Sequence, residues 1–304
     1  MPSVKVCTVI VTYNGIKWIE KCLNSIINST IESDVLVVDN GSTDGTFEYL
    51  EKDGGCKFLY QSNENLGFGK ANNLALQQGY SEGYEYFLLL NQDAWIEENV
   101  IEQLMLRMQS ETQYGISSPL HYNGSGTTLD TLFESYLSRM DSYQRDLKSN
   151  AVRNGLYESK FINAACWMLN RNTLKEVGLF HPLFEHYGED DNYIDRLHHH
   201  GLLLGLDPEV KMYHDRDGTG INHLKNDPAR LFRRTMLRDM LDPSNRGPWS
   251  QAFKKARRIS KKLSKQLPLL PKWTFRTQCL IEYIYLSRDV RRFEKNRQQE
   301  LNID

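Results

Sequence analysis

The 304-residue chain has no C-x-x-C pair, and its five cysteines (Cys7, Cys22, Cys56, Cys166 and Cys279) are odd in number and widely spaced. That argues against a disulfide framework or a thiolate zinc site and reads as reduced, mostly buried thiols. No stretch reaches the roughly 18 apolar residues that a membrane-crossing helix needs. Val4 to Val11 is apolar but short and runs straight into Thr12-Tyr13-Asn14, so it reads as a strand rather than an export signal, and a cytoplasmic location is expected. Neither a Walker loop nor G-x-G-x-x-G is present, which removes two common phosphate-cradling signatures. Net charge is also nearly absent, at −2.

That balance is not local. Residues 250–298 carry 14 Lys and Arg against 3 Asp and Glu, leaving 23 against 36 in the remainder. An acidic body with a basic tail is the signature of a charged partner. Hydrophobic residues make up 40% and charged residues 25%, ordinary globular values, and the length allows one large α/β domain with an appendage.

The run Phe87-Leu88-Leu89-Leu90-Asn91-Gln92-Asp93 organises the rest. Four consecutive apolar residues read as a strand buried on both faces, as in a parallel sheet under helices. Ligands of such sheets meet the carboxyl ends of strands, where Asp93 stands; the bland alternative is that Asp93 caps the next helix. Upstream, Val4 to Val11 is a strand, Trp18 to Ile27 a helix with one apolar face, and Val35 to Val38 a second strand. In the following Asp39-Asn40-Gly41-Ser42-Thr43-Asp44-Gly45, Ser42 and Asp44 have capping roles, whereas Asp39 at the strand end has no local explanation. Lys57 to Tyr60 is a third strand. The run Asn65 to Asn73 carries Gly67 and Gly69 and opens a helix over Ala71 to Gln78, a positive helix end suited to phosphate. The alternation predicts an α/β fold with a mostly parallel sheet flanked by helices.

Beyond it, Val100 to Met108 is helical, Gly115 to Leu120 a strand, and Leu132 to Asn154 polar without a clear period. Phe161 to Leu169 alternates small and large residues, either a close approach to the backbone or a tight core crossing. Glu189-Asp190-Asp191 opens a helix. The dipole there stabilises first-turn acids, but three adjacent carboxylates exceed capping needs and call for a counter-ion, with Arg196 near on the same helix, or a raised proton affinity. His214 ends a probable strand beside Asp215 to Gly220, a Gly-containing turn, whereas His198-His199-His200 reads as a wet helix end. In the tail, Phe253, Ile259, Leu263, Leu267, Trp273, Phe275, Leu280, Tyr283, Ile284 and Leu286 alternate with basic clusters, and Pro268 and Pro271 split two amphipathic helices.

Together these stretches resemble family 2 glycosyltransferases of the GT-A fold, in their rhamnosyltransferase-like branch. The matching segments are Val11 to Asn14, Val37 to Gly45, Asn65 to Asn73, Leu90 to Asp93, Val177 to Phe180, Tyr187 to Asp191 and His214, in family order over about 70% of the chain. The resemblance implies a GT-A domain over 1–225 followed by a basic, helical, amphipathic extension over 226–304. It places Thr12, Tyr13, Asn14 and Asp39 on the base and ribose. Asn65, Gly67, Lys70 and Asn73 would lie along the nucleotide, with Asn91 and Gln92 beside them. Asp93 is the second acid of the family's D-x-D, its first replaced by Asn91, and His214 matches a position that can add a ligand to Mg²⁺ or Mn²⁺, the imidazole favouring Mn²⁺. Asp190 is the expected base, while Glu189, Asp191 and Trp167 fall to acceptor or donor-sugar contacts.

The implied activity is inverting transfer from a dTDP-rhamnose-like or UDP-sugar donor to a hydroxyl of a glycan or lipid-linked glycan in cell-surface polysaccharide synthesis. A cation offsets charge on the departing diphosphate while a base on the opposite face takes the acceptor proton. The basic tail fits an anionic membrane surface, hence a peripheral location at the inner face, or an oligomer contact; the acidic body argues against nucleic acid. Two rivals are a nucleotidyltransferase, disfavoured because Thr12-Tyr13-Asn14-Gly15 is no basic phosphate loop, and a non-catalytic sugar-binding or membrane scaffold.

Overall fold

The computed structural model describes residues 4–53, 55–185, 187–216, 227–245, 249–300 and 303. The first half alternates as the apolar pattern predicts: β1 (Val6–Thr12), α1 (Ile19–Ile27), β2 (Asp34–Asp39), α2 (Thr46–Asp53), β3 (Cys56–Gln61), α3 (Phe68–Ser81) and β4 (Tyr86–Asn91). Then come β5 (Ala94–Ile96), α4 (Val100–Ser110), β6 (Tyr114–Asn123), α5 (Thr131–Leu137), α6 (Asp141–Lys148), β7 (Tyr157–Ser159) and β8 (Cys166–Asn170). The chain continues with α7 (Arg171–Val177), α8 (Glu189–His199), β9 (Leu203–His214), α9 (Pro228–Leu241), α10 (Trp249–Leu263) and α11 (Leu269–Glu300).

The sheet order is β3-β2-β1-β4-β8-β6-β9-β5, with β7 added to β9. From β3 to β4 every pairing is parallel. The expectation of a mostly parallel sheet holds only for this half, because β8 enters antiparallel between β4 and β6, and β5 and β7 lie antiparallel on β9. The sheet is therefore mixed. Its parallel half aligns Thr12 with Asp39 and Val11 with Asn91, so three strands end on one edge.

Both faces of the sheet are covered. Phe87 and Leu89 face one core with Val9, Leu36, Ala75 and Trp167, while Leu88 and Leu90 face the other with Ile10, Val37, Ile19 and Leu104. A strand pleat sends successive residues to opposite faces, which is why β4 needs an unbroken apolar run. The segment Leu132 to Asn154, unassigned from its polarity, contains α5 and α6. Asp130 caps α5 by accepting the Phe133 N–H, and each helix buries little more than an aromatic anchor, Phe133 and Tyr143.

The C-terminal helices form a third core. Phe232, Met236 and Leu237 of α9 meet Ala256 of α10 and Phe275, Cys279, Tyr283, Leu286 and Val290 of α11, and Phe184 joins from the body. Most of the tail's apolar residues thus face one another. The expected domain boundary at 225/226 lies outside the described residues.

Candidate active site

Strand ends and the turns after them build the first half of the site. Thr12 closes β1 and Asp39 closes β2, and both are fully buried. Thr12 Oγ1 donates to Asp39 Oδ1 at 2.7 Å, and Asp39 Oδ2 accepts the Ser42 N–H at 2.9 Å. Asp39 therefore fixes the turn that follows it. Tyr13 is half exposed, and its backbone exchanges two hydrogen bonds with the Gln92 side chain, Tyr13 N–H to Oε1 at 2.9 Å and Nε2 to Tyr13 O at 3.0 Å. A Cβ on Gly15 would fall 2.1 Å from Gln92 Oε1, so only glycine lets this clasp form. Asn14, at φ +50°, accepts the Thr43 N–H at 2.9 Å and joins the β1 and β2 loops.

The Asn65 to Asn73 loop approaches from the other side. Asn65 Oδ1 accepts the Gly67 N–H at 2.9 Å. Gly67, at φ +81°, lies so close to the chain that a Cβ would sit 2.2 Å from Glu185 O. Lys70 is exposed, whereas Asn73 exchanges two hydrogen bonds with the Phe180 backbone at 2.8 and 2.9 Å. Asn73 thus anchors the α7–α8 connection to α3.

Asp93 sits in the two-residue turn from β4 to β5, and β5 pairs antiparallel with the end of β9, placing Ala94 opposite His214. That pairing brings His214 Nε2 within 3.2 Å of Asp93 Oδ1 and 3.4 Å of Asn91 Nδ2. A carboxylate oxygen and an imidazole nitrogen at this separation fit neighbouring positions on a small octahedral cation, about 3 Å apart. Asp93 is partly exposed, and the other His214 nitrogen, Nδ1, is buried without a hydrogen-bond partner among the described residues. Among the described residues no group of three His, Cys, Asp or Glu could hold a metal, so a cation here would take its remaining ligands from a bound diphosphate, water or Asn91.

Arg216 follows His214 by two residues. Its Nε lies 2.8 Å from Asp130 Oδ2 at an angle too bent for a hydrogen bond, and its Nη2 is buried without a hydrogen-bond partner among the described residues. Tyr136 of α5 lies within electrostatic reach of both Arg216 and Asp190; burial, first of all, pushes its phenol up to about 12. The segment that sequence left unassigned thus contributes Tyr136, which feels both charges, while Asp130 just before α5 pairs with Arg216.

Gly188 opens α8 at φ +101°, with Arg234 Cγ where a Cβ would stand at 2.9 Å. The three acids behind it differ sharply. Glu189 and Asp191 are each 6% exposed, whereas Asp190 is partly exposed and its Oδ1 accepts the Asp191 N–H at 2.8 Å. Asp191 is clamped from α9: Arg234 donates to Oδ2, and Arg238 to Oδ1 at 2.6 Å. Glu189 Oε2 is buried without a hydrogen-bond partner among the described residues. Burial, then the Asp191 charge, raises the Asp190 proton affinity to a pKa of about 6; burial, then the Asp190 charge, raises Glu189 to about 8.

Three sequence expectations are corrected here. Trp167 does not reach a sugar: it is fully buried, stacked on Phe180, with its indole N–H donating to Ile162 O at 3.2 Å. Asp191 is engaged by two guanidinium groups rather than open to an acceptor. Its counter-charges come from Arg234 and Arg238, while Arg196 donates to the carbonyls of Val177 and Leu179 at 2.5 and 2.6 Å. Arg216, Tyr136, Arg234 and Arg238 were missed; the only hint in the sequence was that three adjacent acids demand cations.

Known proteins resemble this chain in sequence and in fold. The chain is 25% identical over 227 residues to a putative glycosyltransferase, EpsH, of Bacillus subtilis, covering 71% of this chain and 62% of EpsH. It is 24% identical over 200 residues to the glycosyltransferase GlyA of Streptococcus pneumoniae, covering 63% of this chain but 27% of GlyA. The chain thus spans less than two thirds of these relatives. Among solved structures, S. aureus TarS 1–349 superposes with a TM-score of 0.62 at 16% identity, covering 92% of this chain and 80% of that one. The mannosyltransferase PcManGT of Pyrobaculum calidifontis, in complex with GDP-Man and Mn²⁺, gives a TM-score of 0.57 at 15% identity, covering 93% and 73%. These neighbours establish a GT-A-like fold. The sequence family described as Glycosyl transferase family 2 matches residues 7–178, more than half of the chain, and the chain belongs to that family.

Proposed function

We propose that the protein is a cation-dependent, inverting glycosyltransferase of the rhamnosyltransferase-like branch. Its donor is a nucleotide-diphospho-sugar of dTDP-rhamnose or UDP-sugar type. Its acceptor is a hydroxyl of a glycan or lipid-linked glycan in cell-surface polysaccharide synthesis. The observation that carries the reading is the division of labour among acids: Asp93 converges with His214 at the strand-end edge, and of the three first-turn acids of α8 only Asp190 is partly exposed.

In this reading Tyr13 offers its ring to the base, and Asp39 and Thr12 hold the turn that receives the ribose. Asn65 and Lys70 lie along the nucleotide, and Asn91 and Gln92 set the position of Asp93 and Tyr13. Asp93 and His214 hold the cation, Mn²⁺ or Mg²⁺, which when bound neutralises charge developing on the leaving diphosphate. Arg216, whose buried Nη2 has no hydrogen-bond partner among the described residues, supplies a guanidinium to the same charge. Asp190 accepts the proton of the acceptor hydroxyl as the new C–O bond forms and the bond to the diphosphate breaks. A base with pKa near the working pH combines an ionised population with real proton affinity. Supporting the donor class, S. aureus TarS has been solved with UDP and with UDP-GlcNAc, and GalNAc-T7 with UDP, GalNAc and Mn²⁺.

The test is a thermal-shift panel of nucleoside diphosphates and nucleotide sugars, with and without Mn²⁺ or Mg²⁺. A ligand at 100 times its Kd adds about 2.7 kcal/mol. The expected result is a cation-dependent rise with one nucleotide, lost in Asp93→Ala. A panel without any shift would return the scaffold alternative.

A further inference from the structure

The family fold accounts for the sheet and its edge but not for the outward face of α11. The inward face of this helix is Phe275, Cys279, Tyr283, Leu286 and Val290, packed on α9 and α10. An ordinary surface helix would be polar on the other side. Here Trp273 is 73% exposed, Ile281 47%, Ile284 61% and Tyr285 51%. These four recur at helical spacing along one side, and that side continues into Arg288, Arg291 and Arg292, all exposed. On α10 the side away from the shared core is mostly basic, with Lys254, Arg257, Arg258, Lys261 and Lys262 exposed. The helix carries two apolar faces, one of them covered.

We propose that the outward face of α11, assisted by the basic face of α10, docks on an anionic lipid bilayer. Aromatic and aliphatic side chains flanked by Arg are what an interfacial helix inserts at the boundary between headgroups and acyl chains. The surrounding Lys and Arg supply the attraction to anionic headgroups. Charge selects the occupant. A second copy of this chain meeting the same face would add its own basic α10 and α11 side chains to those already there, like charge against like. A bilayer carries the opposite sign. The remaining acidic body is repelled by the same surface, so the protein approaches tail first. Among the described residues no helix is long and apolar enough to cross the membrane, so docking is lateral.

The docked unit is also held in register with the active site. Arg234 and Arg238 of α9 clamp Asp191, Arg238 pairs with Asp195 at 2.7 Å, and Phe184 enters the helical core. A bilayer against α11 therefore stands in a fixed relation to Asp190, as an acceptor anchored in lipid requires.

The experiment is co-sedimentation of the full chain with phosphatidylcholine vesicles, pure or with about one-third phosphatidylglycerol, at low and high salt. Binding to the anionic vesicles, weakened by salt, is expected. It should fall at least about tenfold in Trp273→Ser/Ile284→Ser and in Arg257→Glu/Arg258→Glu/Lys261→Glu, with melting temperature unchanged. Equal binding by these variants, or none by the unaltered protein, overturns the proposal. An oligomer that the Trp273→Ser/Ile284→Ser pair dissociates, with no vesicle binding, overturns it in favour of a second copy. Cation-dependent binding of the nucleotide-sugar donor by the same variants is expected to be unchanged, so failure of the glycosyl-transfer reading, on which the lipid-anchored acceptor rests, is read separately.

Discussion

Asp190 differs from its neighbours by accessibility rather than by type, and that difference sets its chemistry. Burial and the adjacent Asp191 hold its pKa near 6, so an enzyme that needs its ionised form loses turnover as pH falls. The acid limb of nucleoside diphosphate release should lie near pH 6, about tenfold per unit below it, and Asp190→Asn should lower the plateau by about 10²–10⁴. Glu189 behaves oppositely in stability. Its folded pKa of about 8 is above the ordinary carboxyl value, so the folded state holds the proton more tightly. Stability is present below the unfolded pKa and lost as pH rises toward 8. Glu189→Gln should therefore stabilise the fold at pH 8 to 9 by on the order of 1 kcal/mol or more, seen as a raised melting temperature, and change it little at pH 5. The positions of Asp39, Asp93 and His214 were legible in the sequence because strand ends are marked by apolar runs that stop at polar residues. The direction of Trp167 was not: a large residue among small ones fits a cleft or a core equally, and the register of β8 against β4 decides it, pairing Trp167 with Leu89. Trp167→Ala should cost about 3–5 kcal/mol of stability, seen in denaturant melts, as an emptied core site does.

At the scale of elements, α9 has the least visible role in the sequence and a central one in the structure. Its arginines reach Asp191 across 43 and 47 residues. No local pattern reports such a pairing, so only the surplus of acids at the start of α8 pointed to it. Removing one partner of a largely buried pair leaves a charge uncompensated. Arg234 is partly exposed, which screens the loss, so Arg234→Met is expected to destabilise by about 1–3 kcal/mol. Asp191→Asn in the same background should recover much of that, a coupling a double-mutant cycle in urea measures. The α5–α6 segment was equally hidden, because short helices with one aromatic anchor each leave a weak period. The mixed half of the sheet was hidden for another reason: periodicity identifies strands but not their direction.

Over the whole molecule, the parallel half-sheet supplies an edge, β9 returns to that edge to set His214 against Asp93, and the C-terminal helices close on α8. The charge asymmetry legible in the sequence maps onto this division, with the basic face outermost on α10. Truncation after residue 226 should expose Phe184 and unpair Asp191, giving a body that is less stable and prone to aggregate, which size-exclusion and thermal melts would show. The central claim is that Asp93 serves donor binding through a cation while Asp190 serves turnover. The measurement that tests it most directly is nucleoside diphosphate release and donor binding in parallel for the unaltered chain, Asp93→Ala and Asp190→Asn, with Mn²⁺ present and absent. The account predicts that Asp93→Ala loses cation-dependent donor binding, whereas Asp190→Asn binds donor normally and releases almost no nucleoside diphosphate. Full release by Asp190→Asn, or cation-dependent binding that survives Asp93→Ala, would contradict it.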